Sequence, residues 1–412
     1  MAKISPFKAI RPIRDKVHLV ATRPYYTYKK KVLEAKLQDN PYTFIHIINP
    51  EFGEEVKTEP NSDERFNLVS QAYQDFMDKG ILIQDVQPHI YLYRQTKDNH
   101  EYVGVIAGAD VKEYKSNKIK KHESTLTSRE KMFTNYLNIV GYNAEPVLLS
   151  YSEPSDIIDD RLAKKMLERP EYEYSTTDKI KHELWIFTSE ESNEIQKAFE
   201  QIDALYIADG HHRSASSVAL NNFREEKGEK HFPNENAFLA FIMNEKRLHI
   251  LEFNRLVKHL NGHSESSFLR ALENNFSIKP IKKGKKPKHE HQLTMCIEGN
   301  WYVLECKDNI IETDHPVKSL DAEILTNYVL DPLLGIKDLK QDENIEFISG
   351  LEKLKKTEKR ITNGPFKVGF FLFPVKVEEI KKVADNHLTM PPKSTWVEPK
   401  LRSGLTVYNI NE

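Results

Sequence analysis

The sequence predicts a mixed protein, α/β to α+β, and three observations carry that expectation. Apolar runs of strand length alternate with segments whose apolar residues recur at helical spacing. A short apolar strand, Ala204 to Ala208, runs directly into a glycine turn and a helix lined with small residues. Toward the C-terminal side a hairpin and a further buried strand follow. With 412 residues the chain is too long for one simple core, so two parts are expected. They are an N-terminal and central α/β part, residues 1–265, and a C-terminal α+β part, residues 266–412.

The elements follow in order. Thr43 to Ile48 reads as a strand ended by Asn49-Pro50, and Asn67 to Lys79 as a helix stopped by Gly80. Strands His89 to Gln95 and Tyr102 to Ala107 are joined through Lys97-Asp98-Asn99. Thr127-Ser128-Arg129-Glu130 matches a capping box. The helix it opens carries an apolar stripe of Met132, Phe133, Tyr136, Leu137 and Val140, with Gly141 past its end. Helices are expected over Asp159 to Glu168 and Glu190 to Ile202, with the strand Glu183 to Phe187 between them. Ala204 to Ala208 is a strand and Ser214 to Phe223 a helix, joined by Asp209 to Arg213. Ala237 to Met243 is a strand, Leu320 to Leu334 a helix, and Val368 to Phe373 a buried strand. The lysine-rich stretch Lys282 to Lys288 reads as a solvated loop.

Composition narrows the function classes. Lysine plus arginine number 60 and aspartate plus glutamate 62, a net charge of -2, so the basic excess of a nucleic-acid binder is absent. No run is long and apolar enough to span a bilayer, and no signal-peptide core follows Met1, so a cytoplasmic protein is expected. The two cysteines fall in a hairpin turning at Gly299-Asn300. There Leu293, Met295 and Ile297 share a face with Tyr302, Leu304 and Cys306, while Cys296 faces the other way. They are read as two structural thiols rather than a disulfide.

The strongest chemical signal is Asp209-Gly210-His211-His212-Arg213 between strand and helix. The first amides of a helix lack partners within it and carry partial positive charge. A glycine lets an anion approach the backbone, Arg213 offers a planar fork to phosphate, and His211 and His212 can donate. Asp209 could cap the helix, or hold a metal ion or a substrate amine. The structural alternative is an Asp N-cap followed by two surface histidines.

Ile207 to Arg213 resembles the signature of a prokaryotic family of domains of unknown function, number 1015. The resemblance runs over nearly the whole chain. It takes in Phe7 to Pro12, Asn40-Pro41-Tyr42 with His46, His122 to Thr125, Leu320 to Glu323 and Met390 to Thr395. The strand-loop-helix element also resembles, more distantly, the ParB, sulfiredoxin and free serine kinase superfamily. That likeness implies phosphate contacts from Gly210, His211 and Arg213. The chain departs from the family at Tyr26, where Pro-Tyr-Asp is frequent, and at Asn254, where His-Arg is frequent.

Other polar clusters carry two readings each. Glu123 could act as general base on a hydroxyl with His122 positioning it, or both could lie in a solvated loop. Lys393, Ser394 and Thr395, behind Pro391-Pro392, offer a charge and two hydroxyls to phosphate, or form a plain surface segment, and Lys400 and Arg402 extend the basic character. His46 is read as a satisfied core residue, and no metal cluster is assigned.

The expected function is ATP- or ADP-dependent phosphoryl transfer to a small hydroxyl metabolite, with free L-serine the specific expectation. The reverse reaction on phosphoserine uses the same parts. Gly210, His211, His212, Arg213, Lys393, Ser394 and Thr395 would bind nucleotide with Mg²⁺, and Glu123, His122 and Asp209 would serve the chemistry. The alternative is a non-catalytic nucleotide-binding or ParB-like regulator. Sequence leaves the oligomeric state open.

Overall fold

The structure, a computed structural model, describes residues 2–152, 156–228 and 231–412. It packs as two compact units: Met1–Lys121, Thr125–Leu248 and Pro399–Glu412 form the first, His122–Ser124 and His249–Glu398 the second. The sequence places a soft boundary near residue 265; the second unit takes up the chain at His249, and the last fourteen residues, 399–412, belong to the first.

The first unit is built on a nine-stranded mixed sheet. From one edge its strands run Ile119–Lys120, Leu205–Asp209, Val147–Tyr151, Ala237–Asn244, His100–Asp110, Tyr91–Lys97, Ile180–Ile186 and Tyr172–Ser175, with Ile4–Ser5 paired to His100–Asp110. Every residue of Ala237–Asn244 is buried, which explains its unbroken apolar run: a central strand covered on both faces has no polar side to show. Helix His211–Lys227 buries Ser214, Ala215, Ser216, Ser217 and Val218. Side chains this small let its backbone approach the elements it packs against. One of these is helix Thr127–Val140, whose Thr134 hydroxyl lies 3.5 Å from the Ser216 carbonyl.

The second unit centres on a seven-stranded sheet that includes Phe276–Ile281, Asn300–Cys306, Gln292–Ile297, Val368–Phe371, His249–Val257 and Ile345–Ser349 in that order, with Thr395–Glu398 on the outer half of His249–Val257. One face packs Leu293, Met295, Leu304, Val257 and Phe370 with Ile324, Leu325 and Val329. The other packs Cys296, Trp301, Leu256 and Phe371 with Ile361. The two cysteines therefore lie on opposite faces as expected, and both are free thiols.

Several expectations need correction. Thr43 to Ile48 contains a short helix, Ile45–Ile48, not a strand; a brief run buried at Phe44, Ile45 and Ile47 carries no periodicity that separates the two. Its His46 ring nitrogen lies 3.2 Å from the Asn40 carbonyl, a satisfied polar contact. The capping box at Thr127 does not form: Leu126 is the N-cap with no side-chain bond, and Thr125 is the residue whose hydroxyl donates to Glu130. A true capping box instead opens the helix Ser189–Phe199, from Thr188 and Glu191. The hairpin turns on Glu298-Gly299, one residue earlier than expected, because Ile297 pairs with Asn300. Both turn residues have positive φ, 49° and 97°, the primed geometry that follows the twist of the strands. Leu320 to Leu334 is not one α-helix: Asp321–Leu325 is α, and Thr326–Leu330 widens to π. There the Thr326 hydroxyl bonds back to the Ala322 carbonyl at 2.7 Å, competing with the helical ladder.

Candidate functional site

The strand-turn-helix element forms with a tighter turn than the sequence predicts. The strand is Leu205–Asp209 and the helix begins at His211, so Gly210 alone makes the turn. The register of this strand against Val147–Tyr151 jumps between Ile207 and Asp209, which inserts one extra residue beside the site. Such a bulge bends the strand and re-aims the side chains after it. Gly210 has φ 101° and ψ 28°, a left-handed backbone that a side chain rarely adopts. It is also the N-cap, so Asp209 does not cap the helix, and that reading falls. His211 is buried, 5% exposed, which removes the alternative of two surface histidines.

Arg213, in the first helical turn, folds back over Gly210. A Cβ added at Gly210 would meet the Arg213 guanidinium at 3.0–3.1 Å. Oxygens of Glu145, Pro146 and Asp209 hold the guanidinium. Nη1 donates to Glu145 Oε1 at 2.7 Å and to the Pro146 carbonyl at 2.6 Å, and Nη2 to Asp209 Oδ2 at 3.2 Å. Lys400 Nζ stands 3.6 Å from the same Asp209 oxygen, and the Ser403 hydroxyl donates to Glu145 Oε2 at 3.4 Å. These contacts bring two carboxylates and two cations together at the start of a seventeen-residue helix, all within the first unit. Burial pushes the Glu145 carboxyl above its ordinary range; Arg213 opposes that rise and Asp209 adds to it.

The segment that brings Lys400 and Ser403 to this set is anchored from below. Arg402 is 3% exposed and donates to Thr176 Oγ1 at 3.1 Å, to both Asp178 oxygens at 3.1 Å, and from Nε to His182 Nε2 at 3.2 Å. A guanidinium only donates, so His182 Nε2 must accept and its proton sits on Nδ1, which lies 2.8 Å from the Tyr93 hydroxyl. Burial, then Arg402, lowers the His182 pKa to about 3, so the ring is neutral. Ser403 also bridges to Thr22 through backbone bonds of 3.1 and 2.8 Å.

Glu145 and Ser403 escaped the sequence reading. Glu145 stands sixty-eight positions from Arg213, in an irregular segment, and no local pattern marks it. Its one trace is Pro146, which fixes an extended backbone just before a buried strand.

His122, Glu123, Lys393, Ser394 and Thr395 lie in the second unit. His122 is buried, 2% exposed, so the solvated-loop alternative fails for it, while Glu123 is half-buried. The Met390 amide donates to the His122 carbonyl at 2.8 Å, tying these two expected clusters together. Lys393 is exposed with φ 57°, the Ser394 hydroxyl donates to the Pro391 carbonyl at 2.7 Å, and Thr395 opens the strand that pairs with Glu252. Asn254, at one of the two departures, accepts from the Leu372 amide at 3.2 Å. At the other, the side chain of Tyr26 lies outside the described residues.

Fold and site together define a mixed α/β protein with a charged polar site at a glycine turn between strand and helix. The chain belongs to the family described as Protein of unknown function (DUF1015), whose model matches residues 4–323. No curated protein matches it. Among solved structures it is similar to SbnI with C-terminal truncation from Staphylococcus aureus, at 12% identity and TM-score 0.39, covering 73% of this chain and 86% of that one. It is similar also to a free serine kinase in complex with AMP, at 12% identity and TM-score 0.36, covering 73% and 91%. A conserved hypothetical protein from Pyrococcus furiosus stands at 14% identity and TM-score 0.35, covering 73% and 94%. Likenesses of this size leave the functional reading to the residues of the chain itself. No helix among the described residues is long and apolar enough to cross a membrane.

Proposed function

We propose that the chain is a nucleotide-dependent phosphotransferase acting on a small hydroxyl metabolite, with free L-serine, or phosphoserine in reverse, the first substrate to try. The observation that carries the reading is Arg213 laid over the left-handed Gly210 at a helix start, with Lys400 beside it. Two cations and the first amides of a helix are what a phosphate chain requires. Glu145 and Asp209 balance the cations while no phosphate is present, and phosphate would take their place on the guanidinium.

One of these carboxylates suits Mg²⁺, which binds through one or two carboxylates plus the phosphates of its nucleotide. Asp209 would hold it, and the ion would supply charge neutralisation, with Glu145 left off the metal. Once relieved of Arg213, Glu145 has the raised basicity to accept a hydroxyl proton. Glu123, with His122, is the other proposed base. His211 and His212 remain proposed nucleotide contacts at this turn, and Lys393, Ser394 and Thr395 proposed phosphate contacts within the second unit.

The alternative, a nucleotide-binding regulator without turnover, would use the same Arg213 fork, which must first leave Glu145, Asp209 and Pro146. A screen of small metabolites with ATP and with ADP, read by mass spectrometry and led by L-serine, separates the two. Phosphorylated product that is lost in Glu145→Gln or in Glu123→Gln supports transfer and says which carboxylate is the base. Arg213-dependent nucleotide binding with no product from any metabolite favours the regulator. Absence of any nucleotide binding by titration calorimetry overturns both.

A further inference from the structure

The second unit holds a buried charge that its own fold does not explain. Arg255 lies on the strand His249–Val257, between Phe347 and Phe370 of the neighbouring strands, and is 1% exposed. The pattern Phe253, Arg255, Val257 lies on a face where Leu or Phe would complete the core. Instead the guanidinium donates from Nη1 to the Phe253 carbonyl and from Nη2 to the Lys393 carbonyl at 3.3 Å, with the Phe347 ring 5.4 Å away. Its Nε has no partner, and among the described residues no carboxylate forms an ion pair with it. Burial pushes the Arg255 pKa down to about 9, against the attraction of Asp321.

A second cation without an ion-pair partner lies at the same place. Lys393, whose carbonyl receives Arg255, is exposed; its ammonium stands 5.6 Å from the Phe253 ring and pairs with no carboxylate among the described residues. Lys393 also holds a left-handed backbone, φ 57°, a strained turn directly over the buried guanidinium. Leaving one charge buried and unpaired is costly, and apolar residues often replace buried ions with no loss of stability. A fold that keeps Arg255 here, beneath a strained turn carrying a second cation, is suited to an incoming anion.

We propose that Arg255 and Lys393 form a receptor for a phosphoryl oxyanion in the second unit, with the Lys393 turn as the part that moves to admit it. The Arg255 Nε and the Lys393 ammonium are the donors, and the Ser394 hydroxyl, already turned onto Pro391, borders the turn. The inference stands apart from the Arg213 site and does not require it.

The test is the thermal midpoint of the full chain in inorganic phosphate, against sodium chloride at equal ionic strength. Parallel arms use ADP and O-phospho-L-serine, which tell free phosphate from a phosphate carried by a nucleotide or by a small ester. A ligand that binds only the folded state raises the midpoint. The expected result is an upward shift with at least one of these anions, lost in Arg255→Met and in Lys393→Ala, and kept in Arg213→Ala. Arg255→Met should melt, without ligand, at or above the parent temperature. Lys393→Ala alters an exposed side chain and keeps the test open if Arg255→Met does not fold. A shift that survives undiminished in both variants with every anion that produces one, or no shift beyond the chloride control with any of the anions, overturns the proposal. A shift lost in Arg213→Ala alone assigns the anion to the first unit, which also overturns it while leaving the proposed function standing.

Discussion

Arg213 Nη1 donates to Glu145 Oε1 at 2.7 Å, joining the first turn of a helix to the irregular segment that precedes a buried strand. That bond changes what substitution of Arg213 should do. An arginine facing an open cleft could be removed with little effect on the unliganded fold. Here Arg213→Ala leaves Glu145, already raised by burial, beside Asp209 without its main counter-charge. A loss of about 1–2 kcal/mol of folding stability is expected from the broken charge-assisted bonds. Arg213→Lys keeps the charge but not the planar fork. On the proposed function, nucleotide affinity then falls about tenfold to a hundredfold, the worth of roughly 1.5–3 kcal/mol in hydrogen bonds to a charged group. Calorimetric titration with ATP and ADP, beside denaturation curves, reads both quantities. Unchanged affinity in a well-folded Arg213→Lys protein rejects the role of the fork.

Gly210 should be intolerant for a backbone reason more than a steric one. At φ 101° an alanine would be strained whatever the space around it, and a cost of about 1–2 kcal/mol follows from the left-handed penalty alone. The atoms nearest the new Cβ are the far end of Arg213, at 3.0–3.1 Å, which a flexible side chain can yield. Gly210→Ala should therefore lose stability modestly and displace the fork over the turn. Denaturant unfolding checks the first effect and nucleotide titration the second; full retention of both would show that the turn relaxes at no cost.

Both thiols should be inert in the native state. Burial pushes Cys296 up to about 12 and raises Cys306 further, so neither carries appreciable thiolate at neutral pH. A thiol reagent should titrate neither rapidly before unfolding and both after it. Fast reaction of either in the folded protein would contradict the packing of the hairpin between two apolar clusters.

What sequence could show of this molecule follows its physics. The alternation in Gln292–Ile297 and Asn300–Cys306 placed the cysteines on opposite faces, because a two-residue period is a local property. Ile207 to Arg213 announced a strand, a turn and a helix for the same reason. The helix start was misplaced because Gly210 alone turns the chain, and a bulge at Ala208 has no signature of its own. Glu145 and Ser403 stayed hidden because their meaning is tertiary: each acquires a role only when a distant segment arrives. Arg255 was visible as a residue, but that no carboxylate among the described residues pairs with it is a fact about its tertiary surroundings. Thr43 to Ile48 misled because burial on all sides erases the period that tells helix from strand.

His182 gives the first unit an acid sensitivity with a definite sign. Its ring is fully buried, its centroid 4.9 Å from that of Tyr174 and 6.1 Å from that of Tyr93, and Arg402 donates to its Nε2. The folded pKa of about 3 lies below the ordinary 6.5, so the native state binds fewer protons than the unfolded chain. Stability from this group is fully present above pH 6.5 and is lost as pH falls through 6.5 toward 3. The ceiling is roughly 5 kcal/mol at 1.36 kcal/mol per unit, and the realised loss will be smaller where the site relaxes. Asp178 does not confuse the upper part of that window, because its carboxyl is held below the usual range by Thr176 and Arg402 against the opposing effect of burial. His182→Gln can still accept from Arg402 and donate to Tyr93, but it does not titrate. Urea unfolding between pH 7 and pH 5 should therefore show a falling stability for the parent and a flatter one for His182→Gln. Nitrogen-15 chemical shifts of the imidazole, taken over the same range, should report a neutral ring protonated on Nδ1 throughout. A parent ring that titrates near 6.5, or identical pH slopes for the two proteins, would show that Arg402 does not hold His182 in this state.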